Sequence, residues 1–147
     1  MANLYGVANA PNVFVNAQNL PGNIACPANT TTTIYTTPAM IAPSNGYFFP
    51  AVWANIFINS GASISTGFNC YIAIGAGSYV GISSVGAYGM VANQTVAIEF
   101  AGCGPASQVA WQGAGSTVSI GISPATNACT AMQISPILVM LMRAPDQ

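Results

Sequence analysis

Charged side chains are almost missing from this chain. Only 2% of its 147 residues are charged, against a usual value of about 25%; they are Glu99, Arg143 and Asp146. Catalytic proton transfer near neutral pH usually uses His, Glu, Asp, Lys, Cys or Tyr. A Ser-His-Asp triad is impossible because the chain has no His, and a paired-carboxylate site would require Glu99 and Asp146 to meet. We therefore expect a protein that is not an enzyme.

The same shortage excludes several classes of ligand. Binding of nucleic acid through counterion release needs several Lys or Arg, and the chain has one such residue. A calcium site prefers several carboxylates, and a zinc site needs closely spaced Cys, usually with His. We expect no metal, no cofactor and no nucleic-acid partner.

Long apolar runs are also missing. A membrane-spanning helix needs about 20 consecutive apolar residues, whereas the longest uninterrupted run here is Ile137 to Met142. The first residues, MANLYGVANAPN, have neither the basic nor the apolar region of a secretory signal. We therefore expect synthesis in the cytoplasm and no insertion into a membrane.

The four cysteines are widely spaced and contain no CxxC pair: Cys26, Cys70, Cys103 and Cys129. Three disulfide connectivities are possible, and the spacing does not choose among them. Synthesis in the cytoplasm favours four reduced thiols that behave as small buried apolar side chains.

Helical periodicity is absent, and the strongest pattern is that of a β-strand. It runs from Gly46 to Gly61, GYFFPAVWANIFINSG. In its second half two sets of residues alternate: Val52, Ala54, Ile56 and Ile58 against Trp53, Asn55, Phe57 and Asn59. A period of two puts each set on its own face of a sheet. Pro50 cannot donate a ladder hydrogen bond, so we predict that residues 47–49 bend away from this central strand.

Further short strands follow the same logic. They are predicted over Thr31–Thr37, Phe68–Ile74, Tyr79–Val85, Asn93–Phe100, Ser116–Ile122 and Ala131–Arg143. The segment from Gly102 to Gly115 is predicted to be a long loop with Trp111 as a plug. The second half of the last strand is predicted to be buried on both faces. The pattern indicates an all-β protein, with one jelly-roll or β-sandwich domain over residues 29–147.

The first 28 residues are predicted to form an extended arm ahead of this domain. Asn recurs along them and prolines interrupt any helix. Val13, Phe14 and Val15 form their apolar patch. Two interpretations remain open: a poorly ordered terminus, or an arm that adds a strand to a neighbour with Phe14 as its anchor.

The chain has more apolar residues than a small domain needs for its core. Hydrophobic residues make up 52% of it, and an obligate oligomer interface resembles a core cut in half. The predicted interface residues are Tyr47, Phe49, Trp53, Phe57, Met140 and Met142. The alternative is that they belong to the ordinary core, above all Phe57 and Met140.

Together the segments from Thr30 to Arg143 resemble a known family. TTTTIYTTPAMIAPSNGYFFPAVWANIFINSG, FNCYIAIGAGSYVG, VANQTVAIEFAG and AMQISPILVMLMR are similar in order to the strands of small trimeric jelly rolls of the tumour-necrosis-factor/C1q type. Such modules recur in phage decoration proteins and fibre heads. The resemblance implies a homotrimer whose last strand lies near the three-fold axis. The near absence of charge departs from C1q-like binding heads, so no receptor-binding residues carry over.

The arm and the resemblance together favour a capsid decoration or cement protein of a bacteriophage virion. Such a protein binds the major capsid protein or other lattice subunits on the capsid surface. One alternative is a self-polymerising extracellular filament or sheath subunit, whose arm donates a strand to the next copy. Another is a receptor- or carbohydrate-binding fibre head, with Trp53, Trp111 or Tyr79 as stacking platforms.

Overall fold

The computed structural model describes residues 13–17, 23–61, 67–85 and 91–145. They form an all-β protein, as predicted. The strands are β1 (Val13–Ala17), β2 (Ile24–Cys26), β3 (Thr32–Thr36), β4 (Phe48–Asn59), β5 (Phe68–Ile74), β6 (Val80–Val85), β7 (Thr95–Cys103), β8 (Val118–Pro124) and β9 (Cys129–Arg143). A short 3-10 helix, Val109–Trp111, lies between β7 and β8.

The strands form two antiparallel sheets. Sheet A has the order β1-β9-β4-β7, and β2 also pairs with β9; sheet B has the order β3-β8-β5-β6. Both β1 and β2 run antiparallel to β9, so they act as one interrupted first strand. Counted in this way, the eight strands have the order 1-8-3-6 in one sheet and 2-7-4-5 in the other. This order is that of a jelly roll, and the predicted fold class is confirmed.

The central strand β4 lies between β9 and β7 in sheet A. Its alternation is confirmed: Ile56 and Ile58 are fully buried, while Trp53 and Phe57 are half-buried on the opposite side. The predicted bend over residues 47–49 is wrong for Phe48 and Phe49, which belong to β4 and pair with Arg143 and Met142. The missing N–H of Pro50 is tolerated because pairing of β4 with β7 begins only at Ala51.

The core lies between the two sheets. Sheet A contributes Val52, Ala54, Ile56, Ile58, Ile98, Ile137, Val139 and Leu141; sheet B contributes Ile34, Phe68, Cys70, Ile72, Val118, Ile120 and Ile122. The prediction that the end of β9 is buried on both faces is wrong. Its side chains alternate between buried Ile137, Val139 and Leu141 and the half-buried residues between them, because sheet B covers only one face of sheet A.

Trp111 closes one end of the core, as predicted. The 3-10 helix places its ring in the interior, where it is 0% exposed. Its indole N–H donates to the carbonyl of Phe48 over 3.0 Å. The one polar atom of this ring is thereby satisfied, as burial requires.

Two strands come from the predicted arm. In β1, Val13, Phe14 and Val15 pair with Leu141, Met140 and Val139 of β9. In β2, Cys26 pairs with Cys129 and is fully buried in the core. Among the residues described, no helix is long and apolar enough to cross a membrane.

Candidate assembly surface

The side chains of sheet A that point away from sheet B form one continuous surface, here called the outer face. Alternation along β4, β9 and β7 fixes its members. It comprises Phe49, Ala51, Trp53, Asn55, Phe57 and Asn59 of β4, Leu138, Met140 and Met142 of β9, and Thr95, Ala97, Glu99, Ala101 and Cys103 of β7.

The sheet register brings most of the predicted interface residues together on this face. Phe49 is directly opposite Met142. Met140 is opposite Ala51, the next outward position of β4. Trp53 and Phe57 continue the same row, and all five predicted residues in the strands are half-buried. Tyr47, the sixth, precedes β4 and is 59% exposed.

The outer face has one charged side chain, Glu99, and its carboxylate accepts a hydrogen bond. The indole N–H of Trp53 donates to a carboxylate oxygen of Glu99 over 2.7 Å. Glu99 is also the direct register partner of Asn55. The carboxamide oxygen of Asn55 is buried without a hydrogen-bond partner among the described residues. The Trp53–Glu99 pair was not predicted, because it joins two strands whose relative register cannot be read from the sequence.

The predicted lattice-binding residues of the arm extend sheet A beside β9. Phe14 is opposite Met140, and Asn16 is opposite Leu138. These partners belong to the outer face. The side chains of β1 lie outside the described part of the structure.

The opposite surface of the molecule, on sheet B, has a different chemistry. Tyr79 hydrogen-bonds through its hydroxyl to Thr33, and its ring contacts Tyr71 edge to face at 6.4 Å. The hydroxyls of Thr36 and Ser119 are hydrogen-bonded over 2.9 Å. Here the polar groups are paired with each other, and the surface is hydroxyl-rich rather than apolar.

The three candidate stacking platforms are therefore not equivalent. Trp111 is fully buried, so the prediction that it could stack on a sugar is wrong. Trp53 is held against Glu99 on the outer face, whereas Tyr79 lies on sheet B. The structure does not bring the three rings into one site.

The cysteines lie in three separate environments. Burial raises the pKa of the Cys70 thiol to about 11, whereas Cys103 is exposed. The Cys26 thiol donates to the carbonyl of Ile24 over 3.4 Å. Its neighbour Cys129 lowers the pKa of Cys26, whereas Cys26 and burial raise the pKa of Cys129. In the described part of the chain, no three His, Cys, Asp or Glu side chains come together as a metal site.

Comparison with known proteins found similarity only at the level of solved structures. No family model and no curated protein match the chain. The structure of the Gx strain of infectious bursal disease virus matches with a TM-score of 0.46 and 8% identity, over 92% of this chain and 34% of that chain. The VP2 subviral particle of the same virus matches with a TM-score of 0.48 and 8% identity, over 92% and 34%. The Gt strain gives a TM-score of 0.46 and 10% identity, over 92% and 38%.

These matches are to viral structures. The chain spans about a third of the length of the chains it matches. At these scores the likeness supports no conclusion about this chain, whose jelly-roll order follows from its own strand pairing.

Proposed function

We propose that this chain is a non-enzymatic structural subunit of a virion, a decoration or cement protein that joins copies of itself and stabilises a capsid lattice. The outer face of sheet A carries the proposal. It presents two large aromatic rings, Phe49 and Phe57, two methionines and Trp53 on one side of a sheet. The lattice is assigned to a bacteriophage capsid from the sequence resemblance to decoration proteins.

The chemistry of the outer face suits contact with protein rather than with water. A large apolar patch on a soluble protein marks an interaction site. Interface cores are depleted in charge and enriched in aromatic residues and Met. Glu99 is the one charged residue of this face, and it already accepts a hydrogen bond from Trp53. Covering it with another subunit therefore leaves it with a donor, which lowers the cost of removing it from water.

The low net charge of the whole chain also favours association between copies. A net charge of −1 gives little repulsion between copies. Burial of the outer face between three copies, as in the resembling trimeric jelly rolls, would remove its half-buried aromatic and methionine side chains from water. A trimer that binds only the assembled shell stabilises that shell by thermodynamic linkage.

Light scattering coupled to size-exclusion chromatography tests the self-assembly step. Phe57→Asp and Met140→Asp each place a carboxylate on the outer face. An uncompensated buried charge costs about 3–5 kcal/mol, so both variants should dissociate at concentrations where the wild type is assembled. The control is Val109→Asp, because Val109 is apolar but 86% exposed in the 3-10 helix.

We expect a wild-type mass near three times 14.9 kDa, the same mass for the control, and monomers for the two outer-face variants. Circular dichroism shows whether each variant is folded. A folded Phe57→Asp variant with the wild-type mass would contradict the role of the outer face. Polymers of open-ended length in the wild type would replace the capsid proposal with the filament or sheath alternative.

Binding of the trimer to the capsid lattice is assigned to the N-terminal arm, the first 28 residues. We propose that the arm binds the neighbouring capsid subunit through Phe14, whose register partner Met140 is on the outer face, while β1 stays beside β9. The other two predicted residues, Val13 and Val15, are opposite Leu141 and Val139, which face the core. Removal of all of residues 1–28 is too drastic a test, because it deletes the buried Cys26 and bares the edge of β9. The sharper test compares Phe14→Asp with Asn16→Asp, whose register partners are both on the outer face.

Co-sedimentation with shells of the major capsid protein, and the melting temperature of those shells, measure lattice binding. Wild type and Asn16→Asp should bind saturably and raise the melting temperature of the shell, whereas Phe14→Asp should not. Equal binding by both variants would remove the arm from the proposal. Binding without any rise in shell stability would exclude a cement role.

A further inference from the structure

Of the four cysteines, two face each other across a ladder. Cys26 of β2 and Cys129 of β9 are direct partners in the antiparallel register. Cys70 is opposite Ser83 and Ile122, and Cys103 is opposite Ala51. Within the described ranges, 26 and 129 are therefore the positions where the fold places two thiols side by side.

The backbone geometry of such a pair is compatible with a covalent bond. Direct partners in antiparallel strands have Cα atoms about 4.5–5.5 Å apart and project to the same face. A disulfide needs a Cα separation of about 4.4–6.8 Å. Both side chains point into the core, with 0% of Cys26 and 5% of Cys129 exposed. Both thiols are free, and the Cys26 thiol donates to the carbonyl of Ile24 over 3.4 Å.

We propose that Cys26 and Cys129 form a disulfide that fastens the N-terminal segment to β9 once the protein meets an oxidising environment. This proposal is independent of the assembly function. The bond would join β2, which pairs with β9 over three residues, to the strand that carries Met140 and Met142. It would close a loop from residue 26 to residue 129, and cross-links that close longer loops constrain the unfolded chain more.

The reaction is a thiol–disulfide exchange with a small disulfide as oxidant. The Cys26 thiolate attacks one sulfur of the oxidant and releases one thiolate, which leaves a mixed disulfide on Cys26. The Cys129 sulfur, as thiolate, then attacks the Cys26 sulfur and releases the second small thiolate. Two protein thiols are oxidised, one small disulfide is reduced, and the two protons end on the two released thiols. The neighbouring Cys129 lowers the pKa of Cys26, which favours Cys26 as the first nucleophile.

Burial sets the route by which the oxidant enters. Because Cys26 is fully buried, the exchange needs either local opening of β2 or oxidation before the sandwich closes. Both routes are accessible in vitro: the folded chain is incubated with oxidised glutathione, and the denatured chain is refolded in the same oxidant.

The test counts free thiols in the full chain. After oxidation the protein is denatured, alkylated with iodoacetamide and weighed by mass spectrometry; chymotryptic peptides then locate any cross-link. We expect four alkylated thiols in the reduced protein. In the oxidised protein we expect Cys26 linked to Cys129, Cys70 alkylated, and the exposed Cys103 either alkylated or carrying one glutathione. Four free thiols after both routes, or a cross-link between any other pair, would overturn the proposal.

Stability gives a second readout. Oxidation should raise the melting temperature by about 5–15 °C in the wild type and in Cys103→Ser, which removes the exposed thiol. The same treatment should give no rise in Cys26→Ala or Cys129→Ala. A rise that persists in either of these variants would overturn the proposal. If these variants do not fold, the thiol count and the cross-linked peptide of the wild type decide the question alone.

Discussion

Gly113 and Gly115 lie in the turn that leads from the 3-10 helix to β8, and both have a left-handed backbone, with φ of +66° and +74°. Their surroundings differ. A Cβ at Gly113 would meet no atom within 4 Å, whereas one at Gly115 would collide with the backbone of Met40. Met40 exchanges two backbone hydrogen bonds with Ser116, of 2.8 and 3.0 Å, so it cannot move aside freely.

Alanine substitution should separate these two effects. Gly113→Ala should lower the free energy of unfolding by about 1–2 kcal/mol, because alanine disfavours the left-handed backbone conformation. Gly115→Ala should lower the free energy of unfolding by about 1–3 kcal/mol more, because its Cβ also clashes with the backbone of Met40. The free energy of unfolding in urea measures both. Equal losses in the two variants would show that the backbone of Met40 yields without cost.

Burial of the Cys70 thiol makes the stability of the fold depend on pH. Burial raises the pKa of this thiol from 9.0 to about 11. Below pH 9 the Cys70 thiol is protonated in both the folded and the unfolded state, so the free energy of unfolding keeps its full value there. Between pH 9 and 11 the unfolded state loses the proton and the folded state keeps it, so stability falls as pH rises, by about 1.4 kcal/mol per unit.

Urea unfolding at pH 8 and pH 11 under reducing conditions checks this sign. The wild type should lose about 2–3 kcal/mol more over this interval than Cys70→Ala. Cys103→Ala is the matched control, because Cys103 is exposed, and it should behave like the wild type. A Cys70→Ala variant that loses as much as the wild type would contradict the assignment.

At the scale of the element, β4 has one face in the core and another that we propose for assembly. Ile56 is fully buried in the core, whereas the next residue, Phe57, is half-buried on the outer face. The two neighbours therefore allow a matched comparison within one strand.

Ile56→Ala should lower the free energy of unfolding of the dilute protein by about 2–5 kcal/mol and leave the association of folded chains unchanged. Phe57→Ala should lower it by no more than about 1–2 kcal/mol but should weaken association. Urea unfolding at low concentration and dilution monitored by light scattering separate the two quantities. Loss of association in Ile56→Ala alone would place the contact elsewhere.

Strands were predictable where a single strand carries the signal. The period of two in β4 and β5 appears in the sequence itself, and β5 has the predicted limits, Phe68–Ile74. The predictions were wrong where pairing with another strand sets the limits or the burial of a strand. Phe48 and Phe49 join β4 because β9 pairs with them, and the half-buried side of β9 depends on which sheet covers it. Neither fact is present in the local pattern.

At the scale of the whole molecule, the fold could be predicted and the details of the surface only in part. Repeated short strands and turn residues predict a jelly roll, and the strand order confirms it. The row of aromatic residues on β4 is visible in the sequence as an alternation. The Trp53–Glu99 hydrogen bond spans 46 positions, and the pairing of Cys26 with Cys129 spans most of the chain. Both depend on the register between distant strands, which the sequence does not specify locally.

Oxidation of methionine by dilute hydrogen peroxide tests most directly whether the outer face is the surface that assembly covers. The rates at Met140 and Met142 are measured by mass spectrometry across a range of protein concentrations, with Met40, 1% exposed in the core, as the control for unfolding. We predict that both rates fall severalfold as the protein associates, while Met40 stays slow throughout. Rates at Met140 and Met142 that do not change while the mass of the particle rises would contradict the account.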